Sequence, residues 1–400
     1  MTHKVLVLGA GYAGLVAAKR CARQVRSNEV SVTLVTAIPD FVERPRLHQL
    51  ATGQAIESVP VARYLRKTSV RLVIGSVVGI DLDARTVTTV QAGEPHVMPY
   101  NTLVYALGSN IDVESVPGVA THAWSLVGSG AASQVCTRLQ VLAQRKGRVA
   151  VCGGGLTGIE IATEVAESFP DLQVTLVSNA RPGAWLSPKA QAYVTRTFET
   201  LGVATRSGGR VQEVHADELE LDDGGRVPFE LCLWAGGFRV PKLARASGLA
   251  VDNQDRAHVD SNLESVSHPG VYVIGDAAAV AGAWGSELAM GCRTGGLTGP
   301  KAADVIAARL TGREPGRFRY RYIHECISLG RRHGLIQFLH ADESPKRSIL
   351  TGRKAIAYKN ATLNGAKVLF RHPGPVLARR RHFISNGKSA KGPSQYRLPK

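Results

Sequence analysis

The chain has 400 residues, of which 44% are hydrophobic, and a formal net charge of +17. This length predicts two or three domains rather than one, and the apolar content excludes a disordered chain. No apolar run reaches the roughly 18 residues of a membrane-spanning helix, and the charge excess points to anionic partners.

Residues 4–8, KVLVL, form a short apolar run ended by glycine and predict a buried parallel strand. This run leads straight into a glycine turn and has no cleavage-site pattern. It is therefore read as the first strand of a cytoplasmic protein, not as a signal peptide. The turn carries Gly9, Gly11 and Gly14 in a G-x-G-x-x-G spacing, with Tyr12 and Ala13 inside it. A helical pattern, LVAAKRCARQV, and a second strand, VSVTLV, complete a βαβ unit. Gly9 allows the tight turn, Gly11 a close approach to a pyrophosphate, and Gly14 close helix–strand packing. The free N–H groups of the helix start then face phosphate charge.

A second copy follows. RVAVC predicts a strand, Gly153, Gly155 and Gly158 repeat the spacing around Leu156 and Thr157, and a helix leads to another VTLV strand. Two such units imply two dinucleotides, commonly FAD and NAD(P). Each VTLV strand ends where an acidic residue is expected to hold a ribose hydroxyl, yet here stand Thr36 and Ser178. Thr36 offers only a neutral hydroxyl. At the second unit the missing carboxylate removes the repulsion of a 2′-phosphate, and Arg181 follows within reach, so NADPH is expected to serve at least as well as NADH.

Two further strand ends stand out. TLVYALGS (102–109) ends in Gly108-Ser109, and GVYVIGDAAAV (270–280) contains Gly275-Asp276. Asp276 is placed to reach a flavin's ribitol or pyrophosphate side, its plainer role being a helix N-cap. The six cysteines, at 21, 136, 152, 232, 292 and 326, form no close pair. They read as buried thiols in a reducing compartment, with no metal site.

On these motifs the chain resembles the two-dinucleotide flavoproteins of the pyridine nucleotide–disulfide reductase superfamily. Among these it is most similar to type II NADH dehydrogenase-like proteins and their apoptosis-inducing-factor and ferredoxin-reductase relatives. The likeness covers about residues 4–310. YALGS, VYVIGDAA and LWAGGFRVP (233–241, with Gly236) match its turns, and ERPRLHQL (43–50) resembles an R-P-x-L-S-K segment beside the flavin. The resemblance implies an α/β fold of two Rossmann-like domains plus a smaller C-terminal α+β domain. FAD would occupy 1–113 with 247–310, NAD(P) 114–246, and residues 311–400 would form a basic C-terminal domain and tail.

The departures carry weight too. No cysteine pair stands in FVERPRLHQLATG, so disulfide chemistry is excluded. The A-Q-x-x-x-Q helix start of quinone-reducing relatives is missing from ELAMGCRTGG, where Met290 and Gly291 are expected to open the helix against the ring. In the R-P-x-L-S-K segment, His48 and Gln49 replace Ser and Lys. The family lysine often pairs with the glutamate that Glu160 matches, and Gln49 is expected to hydrogen-bond it without neutralising it.

The implied reaction is hydride transfer from NAD(P)H to FAD N5, which needs aligned rings rather than a protein acid or base. Glu160 is expected on the nicotinamide side. Arg46 and His48 are the candidates beside the isoalloxazine, one to stabilise negative charge and one to pass a proton, with Arg44 in the same flavin loop. The electron acceptor stays open: a quinone-like or other small molecule. A soluble biosynthetic flavoenzyme and a non-catalytic redox-sensing flavoprotein remain alternatives.

Residues 301–400 hold 22 basic and 5 acidic residues, so this segment carries the whole charge excess. RYIHECISLG and GLIQFLH predict strands. TGRKAIAYKNATLNGAKVLFR predicts a helix whose Ile356, Leu363 and Phe370 share one face, for the core or for a bilayer. The residues from Ala378 onward read as a mobile basic tail suited to anionic lipid on the inner face of a membrane. No nucleic-acid-binding fold accompanies the charge, so no nucleic-acid partner is expected.

Overall fold

The computed structural model describes residues 2–316, 319–374 and 380–384. Strand β1 (His3–Leu8) runs into helix α1 (Tyr12–Gln24) and β2 (Val30–Thr36). Val5 to Leu8 are all buried, as befits a parallel strand covered on both faces. Two short helices follow, α2 (Leu47–Leu50) and α3 (Val61–Leu65), then strands β3 (Val70–Ile74) and β4 (Thr102–Tyr105). Between β3 and β4, residues 76–99 form a three-stranded antiparallel sheet that the motif-based reading passed over.

The second unit comprises β5 (Ala123–Trp124), α4 (Ser129–Ala143), β6 (Arg148–Cys152), α5 (Leu156–Ser168), β7 (Gln173–Ser178), α6 (Pro188–Leu201), β8 (Ala204–Ser207) and β9 (Leu231–Trp234). Strand β10 (Val271–Val273) then returns to the first sheet, and α7 (Cys292–Leu310) follows. The two main sheets have orders β10-β4-β1-β2-β3 and β5-β9-β6-β7-β8, with every pairing parallel. Leu8 pairs with Val35 and Cys152 with Val177, so Thr36 and Ser178 each fall one residue beyond the pairing of their sheet's glycine-bearing strand. The duplication seen in the motifs is thus a duplication of topology.

Helix α7 lies along α1 because glycines leave room for it. A Cβ at Gly299 would come 2.5 Å from the Ala13 carbonyl oxygen. Arg20 clamps the pair, its Nε and Nη2 each donating at 2.7 Å to the Asp304 carboxylate.

The C-terminal layer is an antiparallel sheet of β11 (His324–Ser328), β12 (Gly334–Leu339) and β13 (Pro345–Thr351), covered by α8 (Gly352–Arg371). Leu363 and Phe370 are buried and Ile356 is half-buried, so this face of α8 packs on the core. Residues 381–384 are seated rather than free. Arg381 bridges to Val25, and the Phe383 N–H donates to Glu29 at 2.5 Å. The rest of the expected tail, 378–379 and 385–400, lies outside the described residues. Buried thiols are found at Cys21, Cys152 and Cys232 only. Cys136 and Cys326 are half-buried, and Cys292 is exposed because it opens α7.

The glycines of the two turns do different work. A Cβ at Gly14 or Gly158 would sit 1.9 or 1.8 Å from the carbonyl oxygen of Gly9 or Gly153, whereas at Gly11 or Gly155 it would meet nothing within 4 Å. Gly158→Ala is therefore expected to cost about 1–3 kcal/mol of stability through overpacking. Gly155→Ala should leave the urea midpoint of the protein close to that of the wild type. Equal losses at both positions would contradict this assignment.

Candidate active site

The turns after β1 and β6 have nearly the same backbone. Gly9 and Gly153 take φ of +97° and +122°, where a side chain is strained. Gly11 (φ −74°, ψ −168°) and Gly155 (φ −73°, ψ −178°) cap α1 and α5, with no side chain bonding the free N–H groups. Nothing in the protein's own packing demands glycine at Gly11 or Gly155, and close approach of a pyrophosphate does. Each turn therefore fits the pyrophosphate of a dinucleotide on this ground. Tyr12 and Ala13 open α1, and the Tyr12 ring packs on Phe41 and Phe370. Leu156 and Thr157 open α5. Gly236 is crowded by the Trp234 indole, whose Nε1 donates to the Gly236 carbonyl at 3.0 Å.

Asp276 ties three segments together. It accepts from Ser109 Oγ at 2.6 Å and from the Gly291 N–H at 2.7 Å. Gly108 and Gly275, both at φ +68°, bend the chain on either side of it. The helix that was expected to open at Met290 and Gly291 begins at Cys292, with Gly291 as its N-cap at φ +146° and Met290 half-buried before it. The Asp276 bond to the Gly291 N–H is what holds this start in place.

The two neutral strand ends are bonded locally. Thr36 Oγ1 donates to the Ile38 carbonyl at 3.0 Å, and Ser178 Oγ to the Ala180 carbonyl at 2.6 Å. Arg181 donates to the Thr195 hydroxyl at 3.1 Å and has no carboxylate partner among the described residues.

The flavin-loop segment differs from expectation. Arg46 is not a free cation: Nε lies 3.1 Å from Glu43 Oε2, and Nη1 and Nη2 donate to Gln49 and Asn360 at 3.3 Å. Gln49 accepts from Arg46 and does not bond Glu160. Arg44 is exposed. His48 is buried, with Nδ1 3.8 Å from Glu160 Oε2 and no partner for Nε2. Burial holds the His48 pKa well below that of a free imidazole, helped by the Lys359 and Arg46 charges. His48 is therefore neutral at physiological pH. Its unpaired Nε2 suits donation or acceptance of one hydrogen bond.

The cation that meets Glu160 is Lys359, from the C-terminal helix. Its ammonium bonds Glu160 Oε1 and donates to Ser328 Oγ at 2.8 Å, and the Ser328 N–H donates to the same carboxylate oxygen at 2.9 Å. One turn on, the buried Glu164 accepts from Gln54 at 2.5 Å and from Arg331 at 3.2 Å. Burial raises its pKa, partly offset by Arg331. Lys359, Ser328 and Glu164 were all missed from sequence. The available signal was a lysine on the buried face of α8, three residues after Ile356 and four before Leu363.

Removing one member of a buried ion pair costs about 3–5 kcal/mol, since the other charge is left uncompensated. Lys359→Met should lower stability by that order. The double variant Lys359→Met with Glu160→Gln should recover a clear part of the loss, read by urea unfolding as a double-mutant cycle. Strictly additive losses would show that the two side chains do not depend on each other.

A family model described as pyridine nucleotide-disulphide oxidoreductase matches residues 3–303. A type II NADH:quinone oxidoreductase of Mycobacterium tuberculosis is 28% identical over 344 residues, covering 76% of this chain and 71% of that protein. Another, from Staphylococcus aureus, is 27% identical over 368 residues, covering 83% and 89%. Among solved structures, NDH2 from Plasmodium falciparum in complex with NADH superposes with a TM-score of 0.79 at 12% identity, over 93% of this chain and 98% of that one. The sulfide:quinone oxidoreductase of Aquifex aeolicus gives 0.77 at 19% identity, over 92% of each chain. The chain belongs to the pyridine nucleotide-disulphide oxidoreductase family, as an FAD-dependent oxidoreductase that uses a nicotinamide dinucleotide.

Proposed function

We propose that the protein is an NAD(P)H dehydrogenase that passes electrons through FAD to a quinone-like acceptor. The reading is carried by the site at Glu160, where a buried carboxylate, a neutral imidazole and a lysine from the C-terminal layer converge. It is supported by the curated relatives, which are type II NADH:quinone oxidoreductases. When bound, FAD would supply the chemistry of hydride acceptance from the nicotinamide and electron release to the acceptor.

The chain's own residues position and shield. Gly11 and Gly155 admit the pyrophosphates to the helix starts. Asp276 fixes the turns after β4 and β10 against the start of α7. Lys359 pairs with Glu160 and aims it, and His48 presents its free Nε2 from a buried position. We place the division between the FAD and NAD(P) domains at 113/114 and 246/247, and the inner face of a membrane is the location that suits a quinone acceptor. Among the described residues no helix is long and apolar enough to cross a membrane. The missing glutamines around Met290 favour a second reading, in which the acceptor is a small soluble metabolite.

Anaerobic stopped-flow mixing with NADH or NADPH should bleach the bound flavin, and a short-chain quinone should restore its colour. Bleaching without reoxidation by any quinone would move the function to the second reading, and no bleaching would sink both.

The kcat/KM for NADPH is expected to equal or exceed that for NADH, because Ser178 does not repel a 2′-phosphate and Arg181 has no acidic partner among the described residues. Arg181→Ala should then lower kcat/KM for NADPH by about 10- to 100-fold, the loss of one charge-assisted hydrogen bond, with little effect on NADH. A preference for NADH above tenfold in the wild type would overturn this reading.

A further inference from the structure

A cavity of about 590 Å³ lies between the C-terminal half of α1, the segment after α3 and the end of α8. Its walls are cationic. Arg23 comes from α1, Arg66 and Lys67 from the segment after α3, Arg371 from the end of α8, and Arg380 from the returning chain. None of these five has a carboxylate partner among the described residues. Glu57 is the one acid among the described lining residues, and it is engaged by Arg63 at 2.9 Å. Lys367, also at the cavity, is taken up by Glu43 at 2.5 Å.

The inner end of the cavity is formed at Lys19, a buried lysine that lines it. Its ammonium donates to the carbonyl oxygens of Tyr64, Phe370 and Arg371. It thereby offsets the negative end of α8, which would otherwise repel an anion. Burial, then the neighbouring Arg23, pull its pKa down to about 8. Lys67 adopts φ +61°, a backbone state that non-glycine residues rarely take. The adjoining Thr68 bonds back to the Leu65 carbonyl at 2.6 Å, which holds this turn at the cavity mouth.

We propose that this cavity is a binding site for a small phosphate-bearing anion. Like charges gathered on one concavity repel one another, and a bound anion relieves them. Four of the five unpaired cations are arginines that suit the bidentate recognition of phosphate oxygens. The volume falls within the range of small-molecule sites, about 300–1,000 Å³. The cavity is separate from the dinucleotide sites. Arg23 lies twelve residues along α1 from Gly11, about 18 Å at the helical rise. The cavity also opens beside the start of β3, whereas the glycine turns lie at the strand ends.

The shared chemistry is a phosphate group, carried by a soluble metabolite or by a lipid headgroup. The test uses the full-length holoenzyme with its nicotinamide site saturated by NADP+. Inorganic tripolyphosphate is titrated by calorimetry at fixed ionic strength, and vesicles of phosphatidylcholine with phosphatidic acid are assayed by co-sedimentation. Saturable binding of either probe is expected. It should weaken at least tenfold in Arg66→Ala with Lys67→Ala, and again in Arg371→Ala, with flavin content unchanged. Tripolyphosphate binding alone assigns the site to a soluble anion, and vesicle binding alone assigns it to a headgroup. No saturable binding of either probe overturns the proposal. So does an equal loss in the control Arg353→Ala with Lys354→Ala, which removes two exposed charges of α8 outside the cavity.

Discussion

The contact on which the architecture turns is the buried ion pair between Lys359 and Glu160. Glu160 sits in the first turns of α5, on the helix that begins at the second glycine turn, and only 4% of it is exposed. A carboxylate so deeply placed requires a cation and hydrogen bonds, or it would lose its charge. The local segment around His48 and Gln49 supplies neither. The cation arrives instead from α8, 199 residues away in sequence, and the Ser328 N–H from β11 completes the arrangement. The C-terminal layer is therefore part of the site rather than an appendage to it. Docking of that layer and pairing of Glu160 with Lys359 are one event.

The same face of α5 extends this logic. Glu164 and Glu167 follow Glu160 at helical spacing, and each meets residues from outside its own unit. Glu164 takes Gln54 and Arg331, and Glu167 takes Arg332 at 2.9 Å. Exposed pairs of this kind stabilise weakly. The buried ones at Glu160 and Glu164 instead specify which layer packs where, since a shifted docking would strand a charge.

Much of the fold was readable because duplicated local patterns carry their own explanation. The two glycine turns, the VTLV strands and the Gly275-Asp276 strand end predict βαβ units from short-range constraints alone, and the structure contains them at those places. The site was less readable because its decisive partners are non-local. Gln49 looked like the natural neighbour of Glu160 but is turned to Arg46. Arg46 looked like a free cation but is held by Glu43, Gln49 and Asn360. The clue to Lys359 was present as a charged residue on an otherwise apolar helix face. Only the packing of α8 shows which carboxylate it answers.

Charge teaches the same lesson at larger scale. By composition the first 300 residues are neutral and the last hundred carry the excess, so a basic C-terminal segment seems to be the whole story. The fold redistributes this. Arg23, Arg66 and Lys67 come from the neutral part and meet Arg371 and Arg380 from the basic part around one cavity. Neutrality summed over 300 residues thus concealed a local surplus, because the balancing acids are spent elsewhere, as Glu43 is on Arg46 and Lys367 and Glu57 on Arg63. Helix α8 takes part in both charged assemblies. Its middle carries the lysine that neutralises Glu160, and its end, twelve residues or about 18 Å further on, is gripped by Lys19 beside the cavity. An anion drawn to Arg371 would bear on the same rigid helix that positions Lys359, so the two sites share a mechanical element as well as a sign of charge.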